Sequence, residues 1–246
     1  MKFLSLFSGI GGFDLGLEMA GMECIGQVEN NDFCIKVLEK HWPNVKRIKD
    51  IHDVKGTEFG TVELICGGFP CQPFSSAGDK KGETDDRYLW PEMLRVIKKE
   101  KPGWVVGENV INIVNMGIEK FVYDLESIGY EVQCFDIPTC SVELQTMERH
   151  IWIVAASTMQ RLKRCEKIED SINRIEREFQ RNNKRLHNRR DISETRFCRV
   201  SERVSRRMDK HQKERLIALG NAVPPPIVEI IGRVIIETEN IISNAK

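Results

Sequence analysis

Short apolar segments alternate with segments of helical periodicity along most of the chain, and this alternation constrains the fold more than any other feature. The first apolar segment, Phe3 to Phe7, leads through a glycine-rich turn into a helix-like segment from Phe13 to Met19. Strands and helices in repeated succession are typical of α/β proteins, so the sequence predicts a doubly wound sheet. The other predicted strands are 24–28, 45–51, 62–66, 104–106, 130–137 and 150–155, and the other predicted helices are 31–41, 88–101, 118–128 and 227–242.

The turn after the first strand has the composition of a nucleotide cradle. Gly9, Gly11 and Gly12 allow a ligand to approach backbone N–H groups at the start of a helix. Glu29 ends the second strand about 20 residues later, a spacing typical of an acid that binds ribose hydroxyls. This spacing does not distinguish a nicotinamide cofactor from S-adenosylmethionine. The last glycine of the dinucleotide pattern is missing, because Asp14 stands there. A tight turn with an ordinary surface acid is the simpler alternative.

The fourth predicted strand ends in a small-residue loop that carries Cys71. Gly67 and Gly68 allow the backbone to turn sharply, and Pro70 and Pro73 stiffen the loop around the thiol. Open α/β sheets place their chemistry at the carboxyl ends of strands, so a nucleophilic cysteine is one interpretation. A buried structural cysteine is the other.

Charge is distributed unevenly, although the formal net charge is zero. Between Ser157 and Arg215 there are 19 Lys and Arg against 10 Asp and Glu. A basic block on a neutral protein indicates a polyanionic partner such as nucleic acid. A solvated helical surface is the alternative interpretation.

The sequence contains no apolar run of about 18 residues and no signal-peptide pattern at Met1, so we expect no membrane segment and a cytoplasmic protein. The eight cysteines do not form CxxC pairs of the kind that bind metal, so we expect reduced thiols and no metal.

Five short motifs stand in order along the chain. They are Phe7–Phe13 (FSGIGGF), Pro70–Gln72 (PCQ), Glu108–Val110 (ENV), Gln145–Arg149 (QTMER) and Gly220–Pro224 (GNAVP). Together they resemble the DNA (cytosine-5) methyltransferase family, and the resemblance covers residues 1–156 and 196–242.

The resemblance implies a doubly wound, Rossmann-like sheet of the S-adenosylmethionine-dependent methyltransferases. It implies a catalytic, cofactor-binding domain at 1–156, completed by 214–246, and a small basic target-recognition region at 157–213. The implied activity is site-specific methylation of carbon 5 of a flipped cytosine in double-stranded DNA. The implied methyl donor is S-adenosyl-L-methionine, which becomes S-adenosyl-L-homocysteine when its methyl group is transferred.

The resemblance also assigns individual roles. Cys71 is the nucleophile that adds to carbon 6, Glu108 contacts ring nitrogen 3 and the exocyclic amine, and Arg149 contacts the base. DNA contacts are expected from the densest basic cluster, Arg181, Lys184, Arg185, Arg189 and Arg190. The residues assigned to the cofactor are Phe7, Gly9, Gly11, Glu29, Asp50, Ile51, Pro70, Leu89, Asn221 and Val223.

Two positions depart from the family pattern. Asn30 stands where an aromatic residue often follows the ribose-binding acid, so adenine stacking is weaker or comes from elsewhere, with Phe7 as a candidate. Met147 replaces one arginine of the Gln-x-Arg-x-Arg motif, which puts one substrate contact in doubt.

Three alternatives remain open at this point: an RNA methyltransferase on the same scaffold, a catalytically silent DNA-binding module, and a nicotinamide-dependent oxidoreductase. Nothing in the sequence demands more than a monomer. The recognition sequence, and whether a cognate restriction endonuclease is a partner, are not deducible from the residues.

Overall fold

A computed structural model of the chain describes residues 1–70, 88–138, 149–157, 214–215, 217–219 and 221–244. Short 3₁₀ turns lie at Ile51–Asp53 and Ile111–Ile113. The strands are β1 (Lys2–Leu6), β2 (Glu23–Val28), β3 (Lys46–Ile48), β4 (Leu64–Gly68), β5 (Trp104–Val110), β6 (Glu131–Pro138) and β7 (Arg149–Ala156), and the helices are α1 (Gly12–Met19), α2 (Asp32–His41), α3 (Trp90–Glu100), α4 (Val114–Glu126) and α5 (Pro225–Ser243).

The seven strands form one sheet in the order β3-β2-β1-β4-β5-β7-β6. The first five strands pair in parallel, and β7 runs antiparallel to both β5 and β6. The predicted doubly wound sheet is therefore confirmed, with an antiparallel pair at one edge. The strand order reverses between β1 and β4, and open α/β sheets bind ligands at such a switch point.

Helices cover both faces of the sheet, as the alternation of strands and helices requires. One apolar cluster joins alternate strand residues such as Phe3 and Trp152 to Phe13 of α1 and Ile231 of α5. A second cluster joins the opposite strand residues, such as Leu4, to α3 and α4. Burial of both faces explains the nearly continuous apolar runs in β1 and β4.

Helix α5 returns to the first helix of the chain. A Cβ atom on Gly12 would lie 2.3 Å from the carbonyl oxygen of Val223, and one on Gly16 would lie 2.5 Å from that of Pro225. The absence of side chains at these two positions therefore allows α1 to pack directly against the start of α5. This contact brings the last described segment beside the glycine turn.

A buried polar cluster lies beneath α1. The Asp14 carboxylate accepts hydrogen bonds from Ser5 Oγ at 2.9 Å, Gln27 Nε2 at 2.7 Å and Cys24 Sγ at 3.3 Å. Burial raises the pKa of Asp14, and these three donors act in the opposite direction. The residue that breaks the glycine pattern is thus a core residue that ties α1 to β1 and β2.

Two element boundaries differ from the predictions in ways that affect the site. Strand β5 extends four residues beyond the predicted segment, because β4 and β7 pair with it as far as Glu108 and Val110. The third strand is shorter than predicted, and the 3₁₀ turn that follows begins where the Asp50 carboxylate accepts a hydrogen bond from the His52 N–H at 2.9 Å. No helix in the described part of the chain is long and apolar enough to cross a membrane.

Candidate active site

A cavity of about 590 Å³ opens at the carboxyl ends of β1, β2, β4 and β5. This volume lies within the range of about 300–1,000 Å³ that is typical of ligand pockets. The residues that line it come from separate stretches of the described chain, between Phe7 and Ala222. One end of the cavity lies near the glycine turn, and the other lies near β5 and β7. We name these after their predicted roles, as the cofactor end and the reaction end. The first contains Phe7, Gly9, Glu29, Asn30, Asp50, Ile51 and His52, and the second contains Gly68, Phe69, Pro70, Glu108, Asn109, Val110 and His150.

The cofactor end is built on backbone hydrogen bonds. Glu29 Oε2 accepts from the Gly9 N–H at 2.7 Å, and Glu29 Oε1 accepts from the Asn31 N–H at 2.8 Å. Gly9 has a φ of +55°, and a Cβ atom there would meet nothing within 4 Å, so the backbone of the turn faces open space. An open glycine cradle beside an acid at the end of β2 fits a nucleoside with a ribose.

A second carboxylate lies across the cofactor end. Asp50 Oδ1 contacts His52 Nδ1 at 2.6 Å in addition to the His52 backbone N–H. These contacts lower the pKa of Asp50, with the backbone hydrogen bond as the largest cause, and the Asp50 hydrogen bond raises the pKa of His52. Asp50 is therefore held as an exposed hydrogen-bond acceptor, the group that an exocyclic amine requires.

The reaction end is built around Glu108, a carboxyl group that is only 10% exposed. Its Oε1 atom is hydrogen-bonded to His150 Nδ1. Its Oε2 atom lies over Gly68, where an added Cβ would come within 2.8 Å. The adjacent Asn109 donates from Nδ2 to the Phe69 carbonyl oxygen at 2.9 Å, so β5 directly anchors the segment that leads into Cys71.

Of the predicted site residues that the structure describes, most therefore line one cavity. Gly11 and Val223 lie just outside its described lining: Gly11 is the N-cap of α1, and the Val223 carbonyl packs on Gly12. The cofactor roles themselves remain predictions. Residues predicted for the site that line the cavity are Phe7, Gly9, Glu29, Asp50, Ile51, Pro70, Leu89, Glu108 and Asn221.

Arg149 is not brought to Glu108. Its guanidinium is paired with the Asp136 carboxylate on the neighbouring strand, and its side chain is 59% exposed. Successive residues of a strand face opposite sides of the sheet, and His150 faces Glu108, so Arg149 faces away. Its predicted contact with the base remains a prediction.

Several predicted residues lie outside the described part of the chain. These are Cys71, the motif residues Gln145 to Glu148, and the basic cluster Arg181, Lys184, Arg185, Arg189 and Arg190.

Sequence reasoning missed His150 and His52, both of which line the cavity and contact a carboxylate there. His52 follows Asp50 by two residues, and this short spacing could have indicated the contact between the two side chains. His150 is 42 residues from Glu108, and only the register of β5 on β7 brings the two together. Glu214, Ile217 and Ala218, which precede α5, also line the cavity and were not predicted.

Comparison with known proteins agrees with the geometry. Residues 1–212 match the family model described as C-5 cytosine-specific DNA methylase. The chain is 33% identical over 137 residues to the Type II methyltransferase M.HgiCII of Herpetosiphon aurantiacus, covering 53% of this chain and 31% of that protein. It is 36% identical over 116 residues to M.HhaI of Haemophilus parahaemolyticus, covering 47% and 35%. The chain spans about a third of the length of these curated relatives.

Solved structures give the same fold. A crystal structure of a Spodoptera frugiperda DNMT2 mutant matches with a TM-score of 0.55 at 21% identity, covering 64% of this chain and 50% of that one. The S. pombe Dnmt2 methyltransferase matches with a TM-score of 0.54 at 20% identity, covering 63% and 50%. The described part of the chain therefore shares the α/β fold of these solved structures.

Proposed function

Because this chain belongs to the C-5 cytosine-specific DNA methylase family, we propose that it methylates carbon 5 of a flipped cytosine at a specific site in double-stranded DNA. The observation that carries the proposal is the buried Glu108 carboxyl at the end of β5, in the same cavity as the glycine turn and Glu29. The neighbouring Asn109 anchors the segment that leads into Cys71. A silent binding module has no need of this arrangement.

The cofactor of this family is S-adenosyl-L-methionine, which supplies an electrophilic methyl group when bound. The cofactor end has the groups to hold it. Glu29 accepts from the ribose hydroxyls, Asp50 accepts from the adenine amine, and the turn at Gly9 leaves room for the ligand against the backbone. Asn221, which precedes α5, and Leu89, the N-cap residue of α3, also line the cavity.

The chemistry requires a nucleophile and an acid at the reaction end. The Cys71 thiolate forms a bond to carbon 6, and the π electrons of the ring shift to form an enamine with its electron density at carbon 5. Glu108, in its protonated form, gives a proton to nitrogen 3 as the ring takes up charge. After methylation carbon 5 loses its proton to solvent, the sulfur–carbon bond breaks, and the nitrogen 3 proton returns to Glu108.

The target base lies inside a duplex, so it must be extruded at a cost of a few kcal/mol. We assign phosphate and base contacts to the basic region at 157–213, with 1–156 and 214–246 as the catalytic domain. Binding should weaken with salt, since phosphate contacts release counterions. The Type II relatives support a role in a restriction–modification system, with a restriction endonuclease as the cognate partner. We expect the protein to act in a bacterial or phage-type cytoplasm. We also expect it to be a monomer.

The direct test is incubation of the chain with cofactor carrying a labelled methyl group and with either genomic duplex DNA or total tRNA. We expect label in DNA as 5-methylcytosine, and no label with a Cys71→Ala variant. Label in tRNA alone would replace DNA with RNA as the substrate, and a fully active Cys71→Ala variant would overturn the mechanism. Bisulfite sequencing of DNA from expressing cells would then give the recognition sequence.

A binding measurement separates the oxidoreductase alternative. S-adenosyl-L-methionine and NADH are titrated against the free protein, and heat release or fluorescence reports the affinity. We expect saturable binding of the first and none of the second, because the described part of the reaction end offers Glu108 and no group suited to a nicotinamide ring. The reverse result would favour the oxidoreductase.

A further inference from the structure

The Glu108 carboxyl is confined on both of its oxygen atoms. His150 Nδ1 is hydrogen-bonded to Oε1, and the His150 and Glu108 side chains are only 12% and 10% exposed. Oε2 lies above the Cα atom of Gly68, at the end of β4, where any side chain larger than hydrogen would collide with it. Oε1 of the carboxyl is therefore hydrogen-bonded to β7, and Oε2 lies at the end of β4, the strand that leads to Cys71.

The register of the sheet makes this arrangement. In the antiparallel β5–β7 pair, Glu108 lies opposite Trp152 and Val110 lies opposite His150. Glu108 and His150 are thus diagonal neighbours on the same face of the sheet, a distance that long side chains span. If β7 were shifted by one residue against β5, Arg149 would lie opposite Val110 and beside Glu108, and His150 would lie on the other face of the sheet.

A buried carboxyl needs a fixed partner in both of its protonation states. A buried polar group without a hydrogen bond costs free energy, and the cost is greater for a charge than for a neutral group. An imidazole N–H on Oε1 satisfies the carboxyl when it is protonated and, more strongly, when it is ionised. With His150 Nδ1–H on Oε1, the other oxygen, Oε2, is the atom left to carry the proton on the cavity side.

We propose that His150 is a positioning residue for Glu108: it orients the carboxyl so that Oε2 faces the target base and stabilises the carboxylate left behind when nitrogen 3 is protonated. In this step sulfur adds to carbon 6, the Oε2 proton moves to nitrogen 3, and Glu108 becomes a carboxylate that accepts from His150 Nδ1–H. His150 does not touch the base, and it gives up no proton of its own. The inference rests on the proposed function and adds a residue to its site.

The test compares His150→Leu, which removes the donor, with His150→Asn, whose amide N–H takes the place of Nδ1–H. Single-turnover methyl transfer to duplex DNA is measured together with cofactor affinity and thermal unfolding. We expect His150→Leu to lower the transfer rate about 10- to 100-fold and cofactor affinity by less than about twofold. We expect His150→Asn to recover the rate to within about fivefold of wild type.

A second pair keeps the test decisive if the leucine variant fails to fold. His150→Gln places its amide where Nε2 lies, so it should be slower than His150→Asn although both are polar and of similar size. Equal rates for these two variants, or a wild-type rate for His150→Leu, would overturn the inference. A wild-type chain that methylates no DNA would overturn the proposed function, and the inference with it.

Discussion

The cofactor end and the reaction end of the cavity are held in different ways. At the cofactor end, a side chain bonds to the backbone: Glu29 accepts from the N–H groups of Gly9 and Asn31. At the reaction end, two side chains from antiparallel strands bond to each other, Glu108 from β5 and His150 from β7. The cofactor end needs one particular residue type, an acid at position 29. The reaction end needs two particular residues and the strand register that brings them together.

In the proposed function, this difference separates cofactor binding from chemistry. Every residue except proline has a backbone N–H group, so the cradle depends on the course of the chain more than on its side chains. In the proposed mechanism, the reaction end must place a single proton within about an ångström, and this precision comes from packing and from a buried pair. Substitutions at the two ends should therefore affect different measured quantities.

The largest expected effect is at the reaction end. Glu108→Gln keeps the size of the side chain but removes the proton that nitrogen 3 receives. We expect the methyl-transfer rate to fall about 10²- to 10⁴-fold, while the cofactor dissociation constant changes by less than about twofold. Single-turnover kinetics and titration calorimetry measure the two quantities. A variant that lost cofactor affinity instead would show that the two ends are not separate.

The next largest effect is expected for Gly68→Ala, which tests the geometry of the reaction end without changing a polar group. A methyl on Gly68 would lie 2.8 Å from Glu108 Oε2, so Gly68→Ala should displace the carboxyl and lower the rate about 100-fold. Gly107→Ala is the matched control, because its methyl would lie no nearer than 3.6 Å to Ile153 Cβ and Phe69 Cε1. Equal rates for the two alanine variants would argue against confinement of Oε2.

The counterpart at the cofactor end is Glu29→Gln. The backbone N–H groups of Gly9 and Asn31 lose a charged acceptor, and hydrogen bonds to charged groups contribute about 1.5–3 kcal/mol. We expect cofactor affinity to fall about tenfold, with the rate at saturating cofactor within about threefold of wild type. A lowered saturating rate with unchanged affinity would reverse the assignment of this end.

The smallest effect concerns Asp14, which lies beneath the cofactor end but does not line the cavity as described. Burial raises its pKa, so folding favours its protonated form. The stability of wild type relative to Asp14→Asn should therefore increase as the pH falls from neutral toward the ordinary aspartate range, and be lost as the pH rises through the raised pKa. Urea unfolding at pH 8 and pH 5 measures this difference, and a decrease on acidification would contradict the expected sign.

Local patterns were sufficient to predict the cofactor end from the sequence. The strand, the glycine turn and Glu29 lie within 30 residues, and the β2 segment carries the acid to the turn by parallel pairing alone. Even there, the sequence presents Asp14 as a break in a ligand pattern, whereas its partners in β1 and β2 make it a core residue.

The reaction end was only partly predictable. The motif at Glu108 predicted a carboxyl group in the site, and Glu108 lines the cavity. Its partner is set by the pairing of β5 with β7, and no local pattern gives that register. Arg149 and His150 are adjacent in sequence, and the face of the sheet that each occupies decides which contacts Glu108. The extension of β5 to Val110 has the same cause, because flanking strands supply its hydrogen bonds.

A bond between the Cys71 sulfur and carbon 6 of the base is the step on which the proposed reaction depends, and trapping that bond tests it most directly. Duplex DNA with 5-fluorocytosine in place of cytosine cannot lose a proton from carbon 5, so the sulfur–carbon bond should persist after methyl transfer. With cofactor present, we expect a complex that survives denaturation, and peptide mass spectrometry should place the nucleotide on Cys71. Formation of 5-methylcytosine in normal DNA without any trapped adduct, or an adduct on a different cysteine, would contradict the mechanism.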